Sequence, residues 1–282
     1  MSQSKQDERR SRRLLERLAG QRRWLVVAIA VAGLVVSATI WRGLETRERR
    51  LIDAEFEIDA GARIRSIERR FQKNVEVVYS LTAFYAASEN VEPDEFREFT
   101  QPVLSRCEEI QALAWVPRVA ATAEGDVQTA RAEHEESVRR EGNRYRNYRI
   151  TELSKEGFIP APEREEYFPV CFVEPYEANR AVAGFNLASE SVRLEAFERV
   201  LKSGELVAVS GRVAPLFEEE AGPAVLVVGP IYRKGVPVDT PDQRRENLVG
   251  FVVNEVRADL LVEGALGNAG QIDIGIEVFD EF

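Results

Sequence analysis

Arg164-Glu-Glu-Tyr-Phe-Pro-Val-Cys-Phe-Val-Glu-Pro175, followed by Gly184-Phe-Asn-Leu-Ala-Ser-Glu190, decides the fold. The first half reads as a strand, because Tyr167, Phe168, Val170, Phe172 and Val173 are β-formers bounded by charges and by Pro175. Pro169 cannot donate to a ladder, so the strand belongs at an edge or carries a bulge. The second half leads into Ser189–Leu201, where Val192, Ala196, Phe197, Val200 and Leu201 fall at helical spacing and Ser189 stands where an N-cap would. The unit is strand, glycine-containing loop, helix.

Working outward, other strands are expected at Ala112–Val119, Tyr145–Leu153, Leu206–Ser210, Ala224–Tyr232, Leu248–Val256 and Gln271–Phe279. Ala224–Tyr232 is the most apolar and is expected to be central, with Leu248–Val256 as its antiparallel partner across a loop at 235–245. Helices are expected from Pro93 to about Cys107, over Thr129–Arg140 with Gly142 as its stop, and over Asp259–Leu266. Lys155–Glu166 reads as a loop. The element order predicts an α+β fold with antiparallel sheets covered on one side by helices.

At the N-terminal end, eight Lys/Arg against three acids give residues 1–23 a charge of +5, within a chain of net −10. An acidic body with a basic tail argues against nucleic acid as a partner. Trp24–Trp41 then runs without a charge, and its length of about 27 Å as a helix suits a bilayer core, with Trp24 and Trp41 at the interfaces. A cleaved signal peptide or a buried core helix is the alternative. The excess of basic residues before the span places the N-terminus in the cytoplasm and the rest outside the cell membrane. From Gly43 to Ser88 one apolar stripe (Phe56, Ala60, Ile64, Ile67, Phe71, Val75, Val78, Leu81) marks a long helix. Its membrane-proximal part is expected to pair with a second copy, making a homodimer, and its part beyond Phe71 to pack within the chain.

Five blocks resemble the CHASE domain, the extracytoplasmic sensory module of cytokinin-receptor histidine kinases and bacterial sensor kinases and cyclases. They are Ile110–Val119, Arg164–Pro175, Gly184–Ser189, Val225–Tyr232 and Leu248–Val253, covering roughly residues 75–265 in order. The resemblance implies a stalk helix carrying two PAS-like units. The expected division is 1–23 cytoplasmic tail, 24–41 transmembrane helix, 42–88 stalk, a distal unit over about 90–235 and a proximal unit over about 236–282. That last unit would be incomplete, since the chain stops mid-sheet at Phe282. The expectation is therefore a fragment lacking its histidine kinase or diguanylate cyclase output, a complete single-pass protein being the alternative.

No phosphate loop, H-E-x-x-H or G-x-S-x-G motif occurs, and runs such as Glu165/Glu166 and Glu218/Glu219/Glu220 read as solvated faces, so no catalytic residue, metal ligand or cofactor is assigned. Cys107 and Cys171 are read as unpaired thiols, a disulfide being the alternative. The resemblance implies a small-molecule pocket. Asn186 falls where plant cytokinin receptors hydrogen-bond an adenine ring with a carboxylate. Asn can donate as well as accept, so this departure counts against an adenine-type ligand. Ala208 matches a backbone contact, and Val225, Val227 and Gly229 the opposite wall, where Gly229 replaces a bulky aromatic. Trp115, Tyr167 and Phe172 are pocket candidates or plain core. Glu174 is a further candidate, and Arg118 needs an anionic partner, internal or ligand. The rival to a ligand sensor is a membrane-anchored scaffold for a protein partner.

Overall fold

The computed structural model describes residues 2–123, 125–205, 207–213 and 224–267; side chains are described from residue 31, except at 48, 49, 51–53, 55 and 207–213. The expected strand 271–279 and the acidic run 218–220 lie outside the described residues. The chain divides into two compact units, 1–62 and 63–282. Helix α1 (Ser2–Ala87) covers the first and enters the second. In the first unit Val31, Leu34, Val35, Val36, Ile40, Trp41 and Leu44 are all more than half exposed. Among the described residues no helix is long and apolar enough to cross a membrane. Residues 24–30 of the expected span are among those whose side chains are not described.

Among the described residues the strands of the second unit are β1 (Ile110–Pro117), β2 (Val119–Ala120), β3 (Thr151–Ser154), β4 (Gly157–Pro160), β5 (Glu166–Tyr167), β6 (Phe172–Glu174), β7 (Val207–Val213), β8 (Ala224–Tyr232) and β9 (Leu248–Arg257). The helices after α1 are α2 (Pro93–Leu104), α3 (Val127–Arg140), α4 (Tyr176–Asn179), α5 (Ser191–Ser203), α6 (Pro241–Asn247) and α7 (Ala258–Leu266). An antiparallel five-stranded sheet in the order β6-β1-β9-β8-β7 is the framework, consistent with a PAS-like unit. The α+β expectation holds. The sheet crosses the expected distal–proximal boundary at 235/236, because β9, from beyond it, is the central strand. β9 pairs with β1 on one side and with β8, across the 235–245 loop, on the other.

The sheet's two faces carry two cores, as period-2 alternation demands. Ala112, Ala114, Val116, Val173, Leu226, Val228, Phe251 and Val253 share one with Phe168, Phe185 and the apolar stripe of α5. Phe168, Phe197 and Phe251 fill it, the last two stacked at 4.3 Å. The other holds Leu113, Trp115, Phe172, Val227, Ile231 and Val252 under Val78, Leu81 and Phe96 of α1 and α2. Val78 and Leu81 are fully buried, a stabilisation of about 1.5–3 kcal/mol each. Phe71 and Val75 pack there too, whereas Phe56 and Ile64 are exposed.

A buried polar knot ties α1 to the sheet. Arg70 donates to both oxygens of Glu109 (Nε 3.1 Å, Nη2 2.8 Å) and to the carbonyl of Gly264 in α7 (2.8 Å). Asn74 donates to Glu109 (3.2 Å) and accepts from Asn254 of β9. Arg244 of α6 donates to the Leu201 and Lys202 carbonyls at the end of α5, where cationic donors are favoured.

Local differences from the sequence reading have identifiable causes. The organising stretch is two short strands in different sheets, β5 pairing β2 and β6 pairing β1, with the chain turning through Pro169, which bridges to Asn186. β6 sits at the sheet edge, as a proline-bearing segment requires. Residues 143–145 form a 3-10 turn rather than a strand, which buries both Tyr145 and Tyr148. Residues 157–160, expected in a loop, pair as β4 with β3. The 235–245 loop contains α6, started by a capping box in which Thr240 and Gln243 satisfy each other's backbone. Helix α5 begins at Ser191 with Glu190 as N-cap, and Ser189 closes the preceding turn instead. Cys107 and Cys171 are free thiols.

Candidate ligand pocket

The sheet divides the residues expected to form one pocket. Trp115, Phe172 and Val227 belong to the α1-side core, whereas Asn186 bonds to Phe168 of the α5-side core. Asn186 is buried and occupied: its Oδ1 accepts from the Phe168 N–H (2.9 Å) and its Nδ2 donates to Glu152 (2.9 Å), itself clamped by Arg164. Its loop is fixed by Gly184, whose φ of 88° and approach to Arg149 would bring a Cβ within 2.0 Å of that carbonyl. Ala208 pairs with Val227 across β7 and β8, and Gly229 lies opposite Val252 on β9. Val225 is half-buried on β8.

Three other candidates have internal partners. Arg118 donates to Glu166 at 2.7 Å and to the Arg245 carbonyl at 2.8 Å, and Arg245 in turn pairs with Glu166 and Glu198. Glu174 accepts from Arg144 at 3.1 Å and from the Tyr176 N–H at 3.0 Å. Tyr167 is fully buried, its hydroxyl donating to the Pro162 carbonyl at 2.9 Å.

Trp115 and Phe172, paired directly across β1 and β6, do meet at a cavity of about 520 Å³, within the size range of small-molecule sites. It lies against the end of α1 (Tyr85), the turn to α2 (Ser88, Val91), α3 (His134, Ser137, Val138) and the end of β8 (Ile231, Tyr232). Gly250 keeps this wall thin, since a Cβ there would lie 2.5 Å from the Val116 carbonyl and 2.8 Å from the Trp115 indole. The Tyr85 ring stacks on Trp115 with centroids 4.3 Å apart. Further rings continue the wall inward, Tyr85 to Phe96, Phe96 to Phe172 and Phe172 to Tyr145, at centroid distances of 5.9–6.4 Å.

Four titratable groups of this cavity, Tyr85, His134, Cys171 and Tyr232, are neutral. Burial pushes the Tyr85 phenol well above its ordinary value, helped by Cys171 and Tyr145, and raises Tyr232 against an opposing pull from Arg244. Both therefore remain O–H donors, and both hydroxyls are buried without a partner. Burial lowers His134 to about 4, outweighing neighbouring Glu135, and its Nε2 lies 3.1 Å from the Tyr148 hydroxyl. Burial likewise pushes the Cys171 thiol far up, which makes it inert. The charged lining groups Glu89, Glu141, Arg233 and Lys234 are exposed.

Tyr85, His134 and Tyr232 were not singled out in the sequence. They come from three elements far apart in the chain, so no local spacing links them, although Tyr85, four residues after Leu81, lies one step further along the helical stripe.

Fold and cavity together define an α+β module with a cavity on the face of its antiparallel sheet. The chain belongs to the CHASE domain family, whose profile matches residues 89–282. It is a sensory module by that membership. It is similar, at 22% identity over 268 residues, to hybrid signal transduction histidine kinase A of Dictyostelium discoideum; the match takes in 93% of this chain and 12% of that protein's length.

Proposed function

We propose that the chain is the ligand-sensing portion of a transmembrane signalling receptor that holds a small molecule in the Tyr85–Trp115 cavity. The observation that carries this reading is the cavity's wall: the last turns of α1 form it, and α1 is also the helix that contains the apolar 24–41 stretch. A molecule resting against Tyr85 contacts the transmitting element directly. Its differential affinity for two positions of α1 would shift their populations and so the output. Residues 24–41 cross the cell membrane with the basic tail in the cytoplasm and the sensory domain outside; the exposed apolar side chains from Val31 to Leu44 support this. Phe56 and Ile64, exposed on the same helix, support pairing with a second copy. The output domain is of histidine kinase or diguanylate cyclase type, the former in keeping with the relative.

The test is a thermal-shift screen of small molecules on the full chain in nanodiscs. A ligand at a hundredfold its Kd should stabilise the native state by about 2.7 kcal/mol, raising the Tm by roughly 5–11 °C. Ser137→Trp, which adds an indole to the α3 wall of the cavity, should abolish the shift. A shift that survives Ser137→Trp would move the site elsewhere. Stabilisation by protein partners alone would favour the scaffold reading.

A further inference from the structure

A second cleft, of about 410 Å³, shares no lining residue with the Tyr85–Trp115 cavity. Arg139 from the last turn of α3 lines it together with Arg146 and Arg149, which follow the 3-10 turn at 143–145. No carboxylate is among its lining residues. Residues 139–149 hold five arginines and one glutamate, a balance of +4 in a chain of net −10. Two of the five are committed elsewhere, Arg140 to Glu136 and Arg144 to Glu174. Arg139 approaches Glu136 at 3.5 Å and Glu135 at 3.8 Å, too far for good hydrogen bonds. Arg146 and Arg149 are exposed, and among the described residues neither makes an ion pair or a side-chain hydrogen bond.

These two guanidiniums stand on fixed backbone. Tyr145, Tyr148 and Ile150, between and beside them, are buried. The Ile150 N–H donates to Glu135 at 2.9 Å, and the Thr151 N–H to the Gly184 carbonyl at 2.9 Å. Anchors held in place before binding lower its ordering cost. Three cations around one concave surface repel one another and focus a positive field, which an anion relieves. A guanidinium presents paired N–H donors that match phosphate oxygens, and two uncommitted ones call for two negative charges. Phe158 and Pro160 of β4 add an apolar side, and the volume suits a small organic molecule. We infer that Arg139, Arg146 and Arg149 form an anion site for an organic phosphate monoester, its source a soluble ester or a lipid headgroup. This site stands independently of the reading of the larger cavity.

The probe is phenyl phosphate, titrated calorimetrically into the full chain in phosphatidylcholine nanodiscs at fixed ionic strength and about pH 8, where the ester is a dianion. It is expected to bind roughly tenfold tighter than benzenesulfonate, which has the same ring and one charge. It should also bind tighter than inorganic phosphate, which lacks the ring. Arg146→Gln with Arg149→Gln should weaken it by roughly tenfold or more, since each charge-assisted pair contributes about that factor. Arg106→Gln with Lys202→Gln removes the same charge from exposed positions outside the cleft and should leave binding unchanged. Neither pair of substitutions should move the Tm of the free protein. A lower Tm in Arg146→Gln with Arg149→Gln would make these arginines structural and overturn the proposal. So would no measurable binding, equal losses in the two double variants, or equal binding of phenyl phosphate and either comparison anion. Binding lost in Ser137→Trp would place the anion in the larger cavity and overturn it too. Displacement of the ester by phosphatidylcholine vesicles containing phosphatidic acid, but not by pure phosphatidylcholine, would assign the site to a lipid headgroup. Retention of the ester against both would assign it to a soluble one.

Discussion

Replacing Arg70 with alanine leaves the Glu109 carboxylate buried with a single side-chain donor, Asn74 at 3.2 Å. Breaking a buried ion pair costs about 3–5 kcal/mol, because the surviving charge stays desolvated. The Arg70 side chain is 28% exposed against 2% for Glu109, so water reaches one side of the pair. That puts the cost at the lower end, about 3 kcal/mol. For a unit of this size the Tm should fall by roughly 6–12 °C. The loss should depend on pH. Burial raises the Glu109 carboxyl, but hydrogen bonds from Arg70, the backbone and Asn74 outweigh it and hold the group below the usual carboxylate range. Its contribution is present above that range and lost as pH falls through the lowered value. In Arg70→Ala the same carboxyl is destabilised by burial, so acidification relieves it and the gap between the proteins narrows. Thermal melts of the full chain at pH 7 and pH 5 provide the assay. Arg70→Leu with Glu109→Leu should recover at least half of the loss. Equal Tm values for the single and double variants, with no change in the gap with pH, would refute the reasoning.

Gly264→Ala in α7 should ordinarily gain about 1 kcal/mol of helix stability. Its Cβ would lie 2.4 Å from the Arg70 guanidinium carbon, so the Tm should fall instead and rise only when combined with Arg70→Ala. Asn186→Asp would restore the carboxylate of the plant receptors but set it against Glu152 in place of the Nδ2 donor. The expected cost is roughly 2–4 kcal/mol at pH 7. It should shrink toward pH 5, because a carboxyl with a raised folded pKa stabilises only while protonated; denaturant melts across pH measure this. His134, lowered by burial to about 4, should cost the wild type about 3 kcal/mol between pH 6.5 and 4, as the unfolded chain takes up the proton first. His134→Gln should flatten that part of the stability–pH curve.

Helices α2, α3, α5 and α7 and strands β1, β8 and β9 were legible in the sequence, because each carries its own periodicity and end signals. What escaped depended on partners. Residues 157–160 acquire strand character by pairing with β3, and α6 hides among prolines although its Thr240–Gln243 box is written in the chain. Tyr145 and Tyr148 alternate with polar residues on paper, but a 3-10 turn directs both inward. At the site, Trp115 and Phe172 were found as aromatics on strands. Matching Asn186 and Val227 to one pocket did not reveal that the sheet runs between their surroundings, since which face a strand residue meets depends on its register and neighbours. Tyr85, His134 and Tyr232 converge only in three dimensions.

The position of β9 also bears on how the protein is made. This strand, Leu248–Arg257, lies between β1 and β8 although it follows both in the chain. Until it leaves the ribosome, β1 and β8 lack their shared neighbour, and each exposes an edge able to recruit other chains. The sheet therefore closes only after residue 257 has been made, through contacts more than 130 residues apart between β1 and β9. Such long-range closure is slow, and until it happens the open strand edges favour aggregation.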